Sequence, residues 1–445
     1  MTSRGEALAG GASSPVRAGA AVGGAPFVQS YGRAAYAFDR AGRAYVDYVM
    51  GYGPLLFGHA HPALIGDLTA LAERGTVFGS THGEELRLAE RIATYLPSMQ
   101  CLRFVSTGTE AMMSALRVAR AFTERPLVLR FAGNYHGHYD GALHDAGASA
   151  GTSAGGASSS ARSGITPATR AETIVARYND LADVDAMLAG RENELAAIAV
   201  EPIAGNMGLV LPEPGFLDGL FARARRHGAL VVFDEVITWL RVGTSGAQGA
   251  LGYGAPGSST YTPDLTALGK AMGGGFPLAA FGGRSDVMAV LAPEGLAFSG
   301  GTFSGNPFCV AMGHRVLDLI EATPRMYEEL DAKARTLADI IRAIVARHGL
   351  AYPVSQHASM VDLKFRAGAP PRNYDEAAEV DRGAFAAYYH AMRERGVLLA
   401  PSPNELMFLS TAHDVLELDI MLEALDGALP ELLAKGAIPS PRSLG

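Results

Sequence analysis

The 445-residue chain is poor in the features that announce several large classes of protein. It has two cysteines, Cys101 and Cys309, too few for a disulfide framework and without the spacing of a structural zinc site. A reducing cytoplasm is therefore the expected setting. It has no basic run. Its 37 Lys and Arg stand against 45 Asp and Glu, a formal net charge of −8, which argues against nucleic acid or an anionic membrane as a partner. No apolar run reaches the roughly 18 residues of a membrane span, and the opening MTSRGEALAGG has no apolar core of signal-peptide type. The single tryptophan, Trp239, reads first as core packing rather than substrate contact. No internal repeat is visible.

Glycine, by contrast, is abundant: 54 residues without a collagen-type period imply many tight turns and close backbone approaches to a ligand. The length suggests two or three lobes, divided as 1–60, 61–306 and 307–445. Residues 27–50 hold two β-rich runs around Asp39-Arg40-Ala41-Gly42, a hairpin signal. A helical pattern follows His61-Pro62 through residue 72. Apolar runs at 102–105, 127–131, 196–200 and 229–233 read as buried strands, with helix-period residues after the first and a helix at 217–224 before the last. This alternation predicts an α/β fold with a mostly parallel sheet covered on both faces, and ligands on such sheets sit beyond the C-terminal strand ends. Residues from about 307 read as a smaller α/β lobe. Residues 146–168, nearly all Gly, Ala, Ser and Thr, read as a mobile loop, either a surface insertion or an active-site lid.

Chemistry is expected at three strand ends. Ser106-Thr107-Gly108-Thr109-Glu110 would open a helix with free N–H groups, which suits a phosphate; the plain alternative is a Ser/Thr cap. Asp234-Glu235 closes an apolar run, where a carboxylate needs a cationic or N–H partner such as a protonated pyridine nitrogen; the alternative is a structural ion pair. Lys270, in LGKAMGGG, is flanked by small residues and can reach a cofactor aldehyde to form a Schiff base; the alternative is a solvated loop lysine. The Gly-Lys pair lacks the glycine and the Ser or Thr of a nucleotide-binding P-loop. His59, His61, His136 and His138 are expected in turns and pockets rather than on a metal.

Taken together, Ser-Thr-Gly-Thr-Glu-Ala, Asn134-Tyr135-His136-Gly137-His138, Glu201-Pro202, Asp234-Glu235-Val236, Leu268-Gly269-Lys270 and Gly301-Thr302-Phe303-Ser304-Gly305-Asn306-Pro307 resemble the class III aminotransferases of the pyridoxal-phosphate fold-type I group. Within that group Ser13-Ser14-Pro15-Val16-Arg17-Ala18, Gly205-Asn206-Met207, the Gly/Ser-rich segment and Ala400-Pro401-Ser402 followed by Glu405 resemble the branch of glutamate-1-semialdehyde aminomutases. The resemblance implies pyridoxal 5'-phosphate, or its aminated form, as cofactor. It implies that Lys270 bonds to it, Asp234 holds its ring nitrogen, and Tyr135 and Val236 flank the ring. Thr107, Gly108 and Thr109 would take the phosphate, joined by Thr302 of a second subunit in a homodimer with a shared active site. His136 and Asn206 would lie near the cofactor. Arg17, Tyr52 and Glu405 would face the substrate. The activity implied is intramolecular exchange of an amino group, with an intermolecular transaminase of β-, ω- or aryl amino acids as the alternative and a non-catalytic relative as a third. The chain departs from the aminomutase pattern at Tyr52, where tryptophan is usual, at Ser106, where asparagine is common, and at Ile237-Thr238-Trp239-Leu240-Arg241.

Overall fold

The computed structural model describes residues 7–143, 164–254 and 261–439. Near the N-terminus, β1 (Gln29–Arg33), β2 (Tyr36–Asp39) and β3 (Ala44–Asp47) form an antiparallel meander. The Asp39 carboxylate closes the β2–β3 turn by accepting from the Ala41 and Arg43 amides at 2.9 Å each. The expected hairpin is there, with one more strand in front of it. The helix expected through residue 72 is instead two pieces, Pro62–Ile65 and Leu68–Glu73, interrupted at Gly66-Asp67, two weak helix formers in succession.

The large sheet comprises β4 (Cys101–Val105), β5 (Leu127–Phe131), β6 (Thr173–Ala176), β7 (Leu195–Val200), β8 (Leu230–Asp234), β9 (Leu265–Leu268) and β10 (Ala279–Gly283), in the order β4-β10-β9-β8-β7-β5-β6. Only β10 runs against the others. The strands are mostly apolar because both faces are covered. Leu127, Leu129, Ile198, Val231 and Phe233 pack under helix Phe216–His227, while Val128, Ala197, Ala199, Val232 and Ala267 pack under helix Gly108–Thr123. Each large apolar side chain so buried contributes about 1.5–3 kcal/mol. Alanines on both sides of the second contact let helix Gly108–Thr123 lie close to the sheet, which sets its N-terminus at the strand ends.

The C-terminal part folds back over these ends. β11 (Val354–His357) and β12 (Met360–Leu363) pair with each other; β13 (Val397–Leu398) adds in parallel to β3; β14 (Met407–Phe408) joins β12. Residues 47–53 are thereby stitched to the C-terminal segment: the Tyr48 amide donates to Leu398 O at 3.0 Å and the Phe408 amide to Tyr48 O at 2.8 Å. Of the Gly/Ser/Ala-rich stretch 146–168, residues up to 163 lie outside the described residues. Its end departs from the expected loop: Ile165 is buried, and Pro167–Ala171 is a helix whose cap, Thr166, accepts from the Thr169 amide. Among the described residues no helix is long and apolar enough to cross a membrane.

Candidate active site

The C-terminal ends of β4, β7, β8 and β9 meet around one cavity of about 180 Å³. At one end β4 runs into helix Gly108–Thr123. Thr107 caps that helix: its hydroxyl accepts from the Glu110 amide at 3.2 Å, and the Glu110 carboxylate accepts from the Ser106 and Thr107 amides at 3.0 and 2.8 Å. The cap and the anion site are thus compatible. Glu110 uses the amides before the helix, and the first-turn groups of Gly108 and Thr109 remain at the cavity wall. Position 108 requires glycine for space, since a Cβ there would fall 2.9 Å from Val236 Cγ1.

At the other end stands Asp234, the last residue of β8 and 5% exposed. Its Oδ2 lies 2.7 Å from His136 Nδ1, and its Oδ1 accepts from the Val236 amide at 3.1 Å. The two acids of the Asp-Glu pair have opposite fates. Glu235 turns away and is consumed by Thr238, by Gln248 and by the Ala247 amide at 2.6–3.0 Å, a structural knot. His136 also differs from expectation in position: it braces Asp234 from behind, and it is Gly137 that lines the cavity.

Between the two ends, Lys270 follows β9 with φ 45°, a left-handed conformation that is strained for a side-chain-bearing residue. Burial pushes its ammonium down, opposed by Glu405, Glu201 and Asp234, with Arg241 adding to the depression. Val236 and Ile237 form one wall, and Tyr135 and Asn206 another.

A second cavity of about 900 Å³ adjoins the first; Tyr135, Asn206 and Lys270 line both. Arg17, on the short turn Val16–Ala18, Tyr52 and Glu405 all line it. Residues 50–53 are left-handed throughout (φ 45°, 65°, 68° and 106°). Asp47 holds the entry to this turn through the Val49 and Met50 amides at 2.7 and 3.1 Å. Arg241 holds its exit through Gly53 O at 2.6 Å. That guanidinium is fully buried, also donates to Ser359 Oγ and Leu409 O, lies over the Phe408 ring, and is pushed down to about 10 by burial. Burial raises the Tyr52 phenol, with Glu405 adding to the effect. Trp239 is wholly buried, donating to Thr244 O at 2.9 Å, and lines neither cavity. Thr302 is exposed and lines neither cavity of its own chain.

Sequence reasoning gives Glu201 no role of its own. It is buried at the end of β7 and accepts from the Tyr135 amide (2.6 Å), the Gly205 amide (2.8 Å) and Asn206 Nδ2 (2.8 Å). Burial and then Asp234 push its carboxyl up to about 7. The signal is present in the chain, since Glu201 closes an apolar run just as Asp234 does. Arg241 carries no such signal: an arginine whose partners are carbonyls from residues 53 and 409 cannot be read from spacing.

The residues fit a flat ring carrying a phosphate. An N–H-rich helix start, a buried carboxylate and a desolvated lysine face one slot, and the cradle at Gly108 would be filled by a single Cβ. This is the fold and strand-end site of an aminotransferase of class III, and the chain belongs to that family, whose description matches residues 20–425. A glutamate-1-semialdehyde 2,1-aminomutase of Roseiflexus castenholzii is 46% identical over 404 residues, 91% of this chain and 90% of that one. Among solved structures, an ω-transaminase from Sphaerobacter thermophilus matches at a TM-score of 0.84 and 30% identity, covering 96% of this chain and 95% of that one. A glutamate-1-semialdehyde aminomutase from Pseudomonas aeruginosa PAO1 matches at 0.82 and 27%, covering 96% and 93%.

Proposed function

We propose that this chain is a pyridoxal-5'-phosphate-dependent isomerase that converts glutamate-1-semialdehyde to 5-aminolevulinate by moving an amino group within one molecule. The convergence of Lys270, Asp234 and the start of helix Gly108–Thr123 on one cavity carries the cofactor part. Identity to the Roseiflexus aminomutase over nine-tenths of both chains supports the substrate.

The cofactor, when bound, supplies an electron sink for the loss of a proton beside the reacting nitrogen. The chain's residues do the rest. The free amides of Gly108 and Thr109, at a helix start capped by Thr107, would hold the phosphate. Asp234 would keep the ring nitrogen protonated, and His136 keeps Asp234 aligned. Glu201 holds Asn206 and the Tyr135 backbone at the cavity, where Asn206 would lie near the ring. Lys270, its ammonium pushed down by burial, would bond the cofactor and would hold and return the migrating proton at its Nζ. Arg17 receives the distal carboxylate, Glu405 the amino end, and Tyr52 fills the space between.

Thr302, exposed beside Phe298 and Phe303 (73% and 62% exposed), supports a homodimer in which each chain completes its neighbour's phosphate site. The free thiols of Cys101 and Cys309 support a cytoplasmic enzyme.

The test is to offer glutamate-1-semialdehyde as sole substrate. The reading expects 5-aminolevulinate without an amino donor or acceptor; turnover only with an added keto acid contradicts it. That second outcome is the intermolecular transaminase reading, favoured by the Tyr52 departure and by the fit to the Sphaerobacter ω-transaminase.

A further inference from the structure

Of the 37 basic residues only four are lysines; Lys270 lines both cavities and Lys364 is buried close by. Lys333 and Lys435 lie at the surface, paired with Asp414 and Glu431. Lys364 is 1% exposed, and the mechanism above does not use it. An ammonium at that depth is costly unless carbonyls and carboxylates surround it. Its Nζ donates to Pro403 O and lies 3.6 Å from Asp362 Oδ2, which is equally buried on β12. That same oxygen accepts from the Leu209 amide at 3.1 Å. Gly208 packs against the pair with φ 83°; a Cβ there would fall 2.3 Å from Asp362 Oδ2 and 2.4 Å from Lys364 Nζ. The Gly208 amide in turn donates to Asn404 O at 2.8 Å. One buried ion pair therefore ties together two loops that reach the cavities, one carrying Asn206 and the other Glu405.

The charges around Glu405 point further. Its carboxyl is pushed up by burial and held down by Lys270 first and Lys364 second. The phenols of Tyr52 and Tyr135 face it as well, both raised by burial and by Glu405 itself. Lys364 is pushed down by burial and supported by Asp362 and Glu405. Asp362 is pushed up by burial and opposed by Lys364. Once Lys270 is committed to the cofactor, its ammonium no longer faces Glu405, and Lys364, bonded to Pro403 O two residues before Glu405, is the remaining lysine beside that loop.

We propose that Lys364, braced by Asp362, is a positioning residue that fixes the Glu405 loop and supplies the standing countercharge with which Glu405 receives the ammonium end of an amine substrate. The inference deepens the proposed function and rests on it for the commitment of Lys270.

The test separates the two. In cofactor-free protein carrying Lys270→Ala, the Glu405 carboxyl is followed by infrared difference spectroscopy, its band identified by loss in Glu405→Gln. Adding Lys364→Met is expected to raise its titration by about one pH unit or more, and Lys364→Arg to restore it. In the holoenzyme, Lys364→Met is expected to raise KM for glutamate-1-semialdehyde about tenfold. It should also move the acid limb of kcat/KM to higher pH, with cofactor absorbance unchanged. An unmoved Glu405 titration in Lys364→Met overturns the proposal. Missing cofactor absorbance in the wild type overturns the parent reading instead, and the infrared result still decides this one. Should Lys364→Met not fold, Asp362→Asn combined with Lys364→Met removes both buried charges; a raised titration supports the proposal and an unmoved one overturns it.

Discussion

The two halves of the site are built by different means. The cofactor half is a set of strand ends: Val105 with Thr107, Val200 with Glu201, Phe233 with Asp234, and Leu268 with Lys270. Strands of one sheet hold these residues, so their spacing follows from the sheet. The half proposed for the substrate is assembled from separate segments: Arg17 and the strained turn at 50–53 near the N-terminus, and the loop carrying Glu405 in the C-terminal part. It is held by backbone pairing at Tyr48 and by side chains that reach across the chain, such as Arg241 to Gly53 O and Lys364 to Pro403 O. Such a division lets the second half change without disturbing the first, and the same fold does occur in an aminomutase and an ω-transaminase.

That contrast makes graded predictions. Lys270→Ala should abolish turnover by on the order of ten-thousandfold and remove the yellow absorbance of the bound cofactor, measured by steady-state assay and visible spectrum. Asp234→Asn should retain the cofactor but lower kcat by about a hundred- to a thousandfold, because a neutral amide no longer stabilises a charged ring nitrogen; an undiminished kcat would detach Asp234 from the ring.

The packing of the C-terminal part behind the turn at 50–53 should also be acid-sensitive. His413 is buried beside Tyr48, its Nδ1 accepting from the Ser410 amide and hydroxyl, and burial pushes its ring down to about 4. The unfolded chain takes up this proton near 6.5 and the folded chain does not. The stability is therefore complete above 6.5 and is lost as pH falls from there toward 4, by about 3 kcal/mol. Urea titrations across that range should show the slope, and His413→Asn should flatten it.

The smallest effects separate the halves most cleanly. Gly108→Ala, which presses on Val236, should weaken cofactor binding about tenfold and leave the KM for substrate alone. Tyr52→Ala should do the reverse, raising KM about tenfold with cofactor affinity unchanged. Equal effects of both variants on both constants would mean that the two cavities act as one.

The same contrast explains which parts of the molecule are legible in its sequence. Buried parallel strands announce themselves as apolar runs, and Asp234 and Lys270 stand out because charge closely follows such runs. The separate fates of Asp234 and Glu235 are not legible, since one step along the backbone decides which acid faces the cavity and which is taken up by Gln248. Nor is the Lys364–Asp362 pair, whose meaning comes from Gly208 and Pro403, far away in the chain. Glu201 is legible by the strand-end rule, although its motif alone assigns it no task.

The central claim is that the cofactor is joined to Lys270 and faces Asp234. Borohydride reduction of protein loaded with pyridoxal 5'-phosphate, followed by mass spectrometry of its peptides, tests the attachment directly in a chain with only four lysines. The account predicts a stoichiometric adduct on Lys270, with Lys333, Lys364 and Lys435 unmodified. An adduct on any of those three in place of Lys270, or none at all, would contradict it.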